Sequence, residues 1–248
     1  MPKITVIIPT INIKQSLDRA VQSVLKQSFL DWELYIVNDS LSPIDYEHDD
    51  PRIKVIENEN KSGANGARNT GIKYASGKYI AFLDDDDEWF SEKLKFQIDL
   101  MEENQCVLSF TGKNIFYNSL LQKYSFRSSH PYMLFFYNYV GTTSSVMIVK
   151  EALLSIGGFD ESLAQLQDYD LFLRLKKIGN FSGIDFPLIN YYIESSEMHL
   201  SINWINFFRS AYKILLKQNG IGFLFFLIGI LFTFLQKIKN AINRWRFS

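Results

Sequence analysis

Unbroken apolar runs alternate with helically spaced ones along the first hundred residues. Residues 4–8, 34–37, 53–56 and 79–83 are short and almost wholly apolar. Runs of that length predict strands buried on both faces, as in a parallel sheet. Between the first two, Leu17, Ala20, Val21, Val24 and Leu25 recur at the spacing of one helix face. Residues 69–75 predict a shorter helix before the fourth strand. Strands alternating with helices predict a Rossmann-like α/β fold: a mainly parallel central sheet in a three-layer sandwich. Such sheets bind ligands in the crevice outside the carboxyl ends of their strands.

Beyond Trp89 the pattern changes. Ser91 predicts an N-cap for a helix from Glu92, with Lys93 and Lys95 on its exposed face. Residues 107–111 and 146–149 predict further strands, residues 157–160 a turn, and residues 168–177 a helix. Residues 115–140 are rich in Tyr, Phe and Ser and show no clear period.

Polar residues fall where the strands end. Thr10 follows the first, Asn38 and Asp39 the second, and Asp84 to Asp87 the fourth. Three strands thus deliver hydroxyls and carboxylates to one edge of the sheet. Four consecutive carboxylates repel one another, and their pKa values rise unless a cation sits among them. A divalent ion held by oxygen ligands together with a substrate's phosphates resolves that conflict; a solvated acidic loop is the plainer alternative. An EF-hand is excluded, since its glycine and closing glutamate positions hold Trp89 and Lys95. Asp39 either caps a turn or meets a ligand. The small-residue stretch from Lys61 to Asn69, with Gly63 and Gly66, allows close backbone approach and favours anions, but fits neither a Walker A nor a dinucleotide fingerprint. Asp168 and Asp170 open a helix, where compensation of its dipole is an alternative to chemistry.

Composition adds an asymmetry. The chain has 248 residues, 26 basic and 27 acidic. Residues 203–248 hold seven basic residues and no acidic one, so the first 202 carry a net charge of −8. The lone Cys106 excludes a disulfide framework and fits a reducing compartment. The short apolar start, closed by Pro9, does not read as a signal peptide. Residues 218–236 are uncharged, and residues 221–235 would form a helix of roughly 22 Å, short of a ~30 Å hydrocarbon core. Upstream, Phe208, Tyr212 and Leu215 form an apolar stripe opposite Arg209, Lys213 and Lys217, with Trp204 and Trp245 suited to an interface. The tail therefore predicts helices on or in a membrane surface. A hairpin packed on the main domain or on a second copy in a homodimer is the alternative.

Taken in order, Ile-Ile-Pro-Thr (7–10), Val-Asn-Asp-Ser (37–40), Gly-Ala-Arg-Asn-Thr-Gly (66–71), Phe-Leu-Asp-Asp-Asp-Asp (82–87), Gly-Gly-Phe-Asp-Glu (157–161) and Asp-Tyr-Asp-Leu-Phe-Leu-Arg (168–174) resemble the family 2 inverting glycosyltransferases of GT-A fold, of the kind that build bacterial surface polysaccharides. The resemblance covers about residues 3–193. It implies a catalytic domain over 1–202, with a nucleotide-sugar half (1–110) and an acceptor half (111–202), and a tail over 203–248. It implies a UDP-sugar donor, a saccharide or lipid-linked acceptor, an Mn²⁺ or Mg²⁺ ion, no nucleic acid, and a cytoplasmic place on the inner face of the membrane. By carry-over Pro9, Thr10, Asp39, Gly63, Arg68, Asp84 and Asp85 meet the nucleotide sugar, Asp39 through uracil. Asp86, with Asp84, holds the metal, and Asp168 is the general base.

Three positions depart from the family pattern. Ile11 stands where Tyr is common, Asn38 replaces an aspartate, and Glu194 stands near a usual histidine, with His199 five residues on. Two rival readings follow from the same residues. A sugar nucleotidyltransferase would need a glycine-rich, basic loop after the first strand, where this chain has Pro9-Thr10-Ile11-Asn12. A non-catalytic nucleotide-sugar-binding relative would not need both Asp86 and Asp168.

Overall fold

Three of the four apolar runs, all but the one at 53–56, become strands without an exposed residue. In the computed structural model, which describes residues 1–11, 15–44, 46, 48–117, 120–124, 133–134, 137–193, 204–218, 224 and 226–231, β1 (Ile4–Thr10) and β2 (Trp32–Asn38) are buried at every position. They flank α1 (Gln15–Leu25) in sequence and are followed by β3 (Ile53–Glu57), α2 (Ala64–Tyr74), β4 (Tyr79–Phe82), β5 (Glu88–Trp89) and α3 (Lys93–Asn104). Then come β6 (Leu108–Tyr117), β7 (Leu120–Tyr124), β8 (Val146–Val149), α4 (Lys150–Ser155), α5 (Gln167–Lys176), β9 (Phe181–Ile193) and α6 (Trp204–Leu216).

Alternate residues of each central strand enter different cores, because successive side chains point to opposite faces. Ile4, Val6, Ile8, Leu34 and Ile36 pack with α1 and α3 through Leu17, Val21, Leu94 and Ile98. Ile7, Val37, Ile80 and Phe82 pack on the other side with Ala67 and Ile72 of α2 and Leu171 and Leu175 of α5. The three layers predicted from the runs are present. The sheet itself is mixed rather than mainly parallel. Its order is β3-β2-β1-β4-β8-β6-β9-β5, with β7 on β6. The first four strands are parallel. β8 runs antiparallel to both β4 and β6 and follows directly on a single turn over Thr143–Ser145.

Three local expectations change. α2 starts at Ala64 rather than Asn69, so Gly66 to Asn69 lie inside a helix instead of a loop. Gly63, at φ 123°, supplies the positive-φ break before it. A Cβ on Gly66 would sit 1.8 Å from the Lys61 carbonyl oxygen, so only glycine fits that first turn. Ser91 does not cap α3; Glu92 takes that position without a side-chain cap bond. Lys93 is buried rather than exposed. Its Nζ donates to Gln97 Oε1 at 2.5 Å and lies 4.0 Å from the Trp89 ring centroid, and desolvation holds its pKa well below the ordinary range. Lys95 is exposed as predicted and pairs with Asp99.

α6 has two apolar sides. Phe207, Ala211 and Ile214 are buried. Lys217 Nζ reaches Asp160 and Asp170 at 2.7 Å each, and Lys213 Nζ donates to the Ser162 carbonyl. The predicted stripe is therefore split: Leu215 leans on the core while Phe208 and Tyr212 face out beside Ile205 and Leu216. Helical residues 226–231 bury Phe226 against Tyr169 and expose Leu227, Ile228 and Leu231. Among the described residues no helix is long and apolar enough to cross a membrane. The rest of the apolar segment, Trp245, Glu194 and His199 lie outside the described residues.

Candidate active site

Strand ends gather the predicted residues around one cavity of about 270 Å³. It is lined by Pro9, Thr10, Ile11, Asp39, Ala64, Arg68, Asp84, Asp85 and Asp86. Gly63 lines a neighbouring cavity with Lys61, Asn65 and Gln167, and the two meet at Ala64. Asp168 lies outside both linings, at the first turn of α5.

Each carboxylate has a distinct holder. Asp84 is the ion-pair partner of Arg68 on α2 and accepts from Thr143 Oγ1, while its amide donates to Ser144 Oγ at 3.1 Å. Arg68 is itself buried, and its guanidinium lies 5.4 Å from the Phe159 ring. Phe159 meets Phe82 edge-on at 5.3 Å, a contact worth about 0.5–1.5 kcal/mol beyond its buried area. The Gly157–Phe159 turn thus acts at a distance: it braces the arginine that holds Asp84. Thr10 Oγ1 donates to Asp85 Oδ2 at 2.6 Å. Arg19 of α1 donates to the Asp86 backbone carbonyl at 2.5 Å and stacks 4.0 Å over Tyr192. That grip fixes the backbone from which the Asp86 carboxylate projects.

Asp39 holds protein as well as facing the cavity. Its Oδ2 accepts from the Gly63 amide at 2.7 Å and its Oδ1 from Asn58 at 2.6 Å. Each oxygen keeps a second lone pair for a ligand donor. Asp87, for which the sequence offers no direct role, is fully buried. Burial, then the charges of Asp84 and Asp86, push its pKa well above the carboxylate range, and its Oδ2 has no partner among the described residues. The repulsion expected within the acidic run therefore falls on its fourth member, while arginine and hydroxyl donors hold the first two.

Asp168 sits two residues past the left-handed Leu166, at φ 63°. Its Oδ1 accepts from the Tyr169 amide at 2.7 Å, and Asn138 Nδ2 lies 3.4 Å from Oδ2. Asn138 is fixed in turn by two hydrogen bonds to Gly141. Burial raises the Asp168 pKa, while the Tyr169 amide, Arg68 and Lys113 oppose the rise. A carboxylate whose pKa is raised in this way is a stronger proton acceptor than an exposed aspartate. Arg19, Asn138, Thr143 and Ser144 are parts that sequence reasoning misses. Thr143 and Ser144 follow a stretch without period, and no local pattern links them to Asp84.

The set of oxygen donors suits a hard divalent cation. Asp84, Asp85 and Asp86 offer carboxylates with no thiol or imidazole among the lining residues. No group of three or more acidic, His or Cys side chains converges on one point among the described residues. Mg²⁺-type ions are bound in that way, through one or two carboxylates plus substrate phosphates rather than a protein cage.

Comparison with known proteins agrees with this geometry. The profile of "Glycosyl transferase family 2" matches residues 5–161. The chain is 30% identical over 241 residues to the UDP-Glc:alpha-D-GlcNAc-diphosphoundecaprenol beta-1,3-glucosyltransferase WfgD of Escherichia coli, covering 94% of each chain. It is 30% identical over 210 residues to the amylovoran biosynthesis glycosyltransferase AmsB of Erwinia amylovora, covering 76% of this chain and 69% of that one. The fold is that of S. aureus TarS 1–349, solved with UDP-GlcNAc, at a TM-score of 0.70 and 18% identity over 86% of this chain and 66% of that one. The mixed sheet is thus of GT-A type, and the ordered motifs along it have relatives over nearly their whole length; the chain belongs to glycosyl transferase family 2 and is a glycosyltransferase.

Proposed function

We propose that the chain transfers a sugar from a UDP-sugar to a hydroxyl of a lipid-linked saccharide, with inversion, in bacterial surface polysaccharide synthesis. The observation that carries this reading is a pocket of Thr10, Asp39, Arg68 and Asp84 to Asp86 with the buried Asp168 close enough to interact with Arg68 and Asp84. Asp39 and Thr10 would meet the nucleoside, and Arg68, Asp84 and Asp85 the ribose and diphosphate. Asp86, with Asp84, would hold Mn²⁺ or Mg²⁺, whose charge would stabilise the departing diphosphate. Asp168 would take the proton of the attacking hydroxyl from the other side of the sugar. The acceptor class is supported by WfgD, whose name gives a diphosphoundecaprenol-linked sugar as its acceptor.

The test is UDP release by the full chain with a panel of UDP-sugars and a GlcNAc-diphospholipid acceptor. Release that needs both a sugar donor and the acceptor is expected. No release with any donor, or pyrophosphate release from UTP and a sugar phosphate instead, would overturn the reading.

Ile205, Phe208, Tyr212 and Leu216 on the outward side of α6 are exposed, as are Leu227, Ile228 and Leu231. We place that apolar face against the cytoplasmic surface of the membrane, where amphipathic helices bury their apolar side. Phe208→Glu with Leu216→Glu should cut co-flotation with anionic phospholipid vesicles about tenfold or more. Unchanged flotation of the double variant would remove this face from membrane contact.

A further inference from the structure

One cation near the reaction centre has no role in the reading above. Lys113 lies on β6 within the second of two register shifts that break its pairing with β9, at Thr111/Gly112 and Gly112/Asn114. A break of that kind re-aims a side chain and is common beside active sites. Here it turns the Lys113 ammonium over the Tyr191 ring of β9, 4.2 Å from the centroid. The side chain is partly buried.

The contrast with the other cations of the site is the informative point. Arg68 is spent on Asp84, and Arg19 on the Asp86 carbonyl. Among the described residues the Lys113 ammonium has no hydrogen-bond or ion-pair partner; an aromatic face holds it. A ring attracts a cation without consuming its N–H donors, so all three remain available. Desolvation lowers the Lys113 pKa, and Asp87, Asp168 and Asp84 oppose that. The ring beneath feels the same charges: burial, then Asp87, Asp84, Asp86 and Asp168, push the Tyr191 hydroxyl upward. The Tyr192 amide, next along β9, donates to Asp87 Oδ1 at 3.4 Å, so Tyr191 and the ammonium over its ring stand beside the acidic run.

We propose that Lys113 donates a hydrogen bond to the diphosphate of the donor and stabilises it as it leaves. This rests on the UDP-sugar reading above. As the acceptor oxygen bonds to the sugar's C1, the bond from C1 to the diphosphate oxygen breaks and its electron pair stays on that oxygen. The acceptor's proton goes to Asp168. Negative charge grows on the diphosphate, and Lys113 meets it with a charge that no carboxylate has neutralised. The cation is preorganised by Tyr191, so little rearrangement is needed as the charge develops.

Calorimetric titration of the full chain with UDP and with uridine, each with Mn²⁺, tests the contact. Wild type, Lys113→Met, Lys113→Gln and Lys113→Arg are compared, together with kcat and KM for the UDP-sugar. Loss of the charge should weaken UDP binding about 10- to 100-fold, leave uridine binding unchanged, and lower kcat at least tenfold, with Arg restoring most of both. Equal loss for UDP and uridine, or no loss for either, would overturn the proposal and leave Lys113 a packing residue. Should the Met variant fail to fold, the Gln variant, which keeps length and polarity, must show the same split. A wild type that binds no UDP would sink the donor reading itself, and the contact with it.

Discussion

Asp168→Asn is expected to lower the transfer rate by roughly 10²- to 10⁴-fold, the usual contribution of a positioned proton acceptor, while UDP binding stays within a few-fold of wild type. The split follows from geometry. Asp168 stands on α5 outside the cavity lined by Thr10, Asp39, Arg68 and Asp84 to Asp86. The amide of Asn can still accept from the Tyr169 N–H, so the first turn of α5 should hold. What is lost is the charge that receives the proton. Initial rates of UDP release, beside calorimetric UDP affinity, separate the two quantities. Near-wild-type turnover in the variant would remove Asp168 from the base role.

The pH profile gives a second readout. Asp168 works only when ionised, and burial raises its pKa above that of an ordinary carboxylate. The rate should therefore fall as pH drops through that raised value, and the fall should begin at a higher pH than a solvent-exposed aspartate would give. In Asp168→Asn the residual rate should lose this acid limb.

Asp86→Ala is expected to reduce Mn²⁺-dependent UDP affinity about 100-fold or more, equivalent to ~2.7 kcal/mol. Its backbone is fixed by Arg19 and its neighbours Asp84 and Asp85 are bound to Arg68 and Thr10. Wild type treated with EDTA should bind UDP about as weakly as the variant, and Mn²⁺ should restore the first but not the second. Equal Mn²⁺ response in both proteins would move the metal away from Asp86.

The strand ends were legible because the apolar runs were. β1, β2 and β4 are buried at every position and so carry few polar residues, which makes the residue after each run conspicuous. Thr10, Asp39 and Asp84 to Asp86 could be placed at one edge on that basis, and they line one cavity. Their partners could not. Thr143 and Asn138 reach the site from a stretch whose period is hidden by turns, and the Gly63 amide reaches Asp39 across a loop. Lys93 misleads for another reason. Lysine predicts an exposed face, but a flat Trp89 ring and the Gln97 carbonyl make a buried niche for it. Lys113 is hidden by the broken register between β6 and β9, because alternation along a strand loses its meaning where pairing slips. The two sides of α6 are a similar case: the spacing that marks Phe208 and Tyr212 as one stripe does not show that Phe207, Ala211 and Ile214 form another.

The reversal of β8 beside β4 decides where this scaffold can be remodelled. In a wholly parallel sheet every strand begins at the edge remote from the ligand. Here β8 is among the strands that begin at the ligand edge, and the turn that feeds it, Thr143–Ser145, supplies the hydroxyls on Asp84. Lengthening the chain just before Val146 changes what meets the donor. Lengthening it just after Val149 changes only the far rim, where Lys150 is tied to Lys78. Four residues of strand thus separate a position where grafted sequence would alter specificity from one where it would be silent.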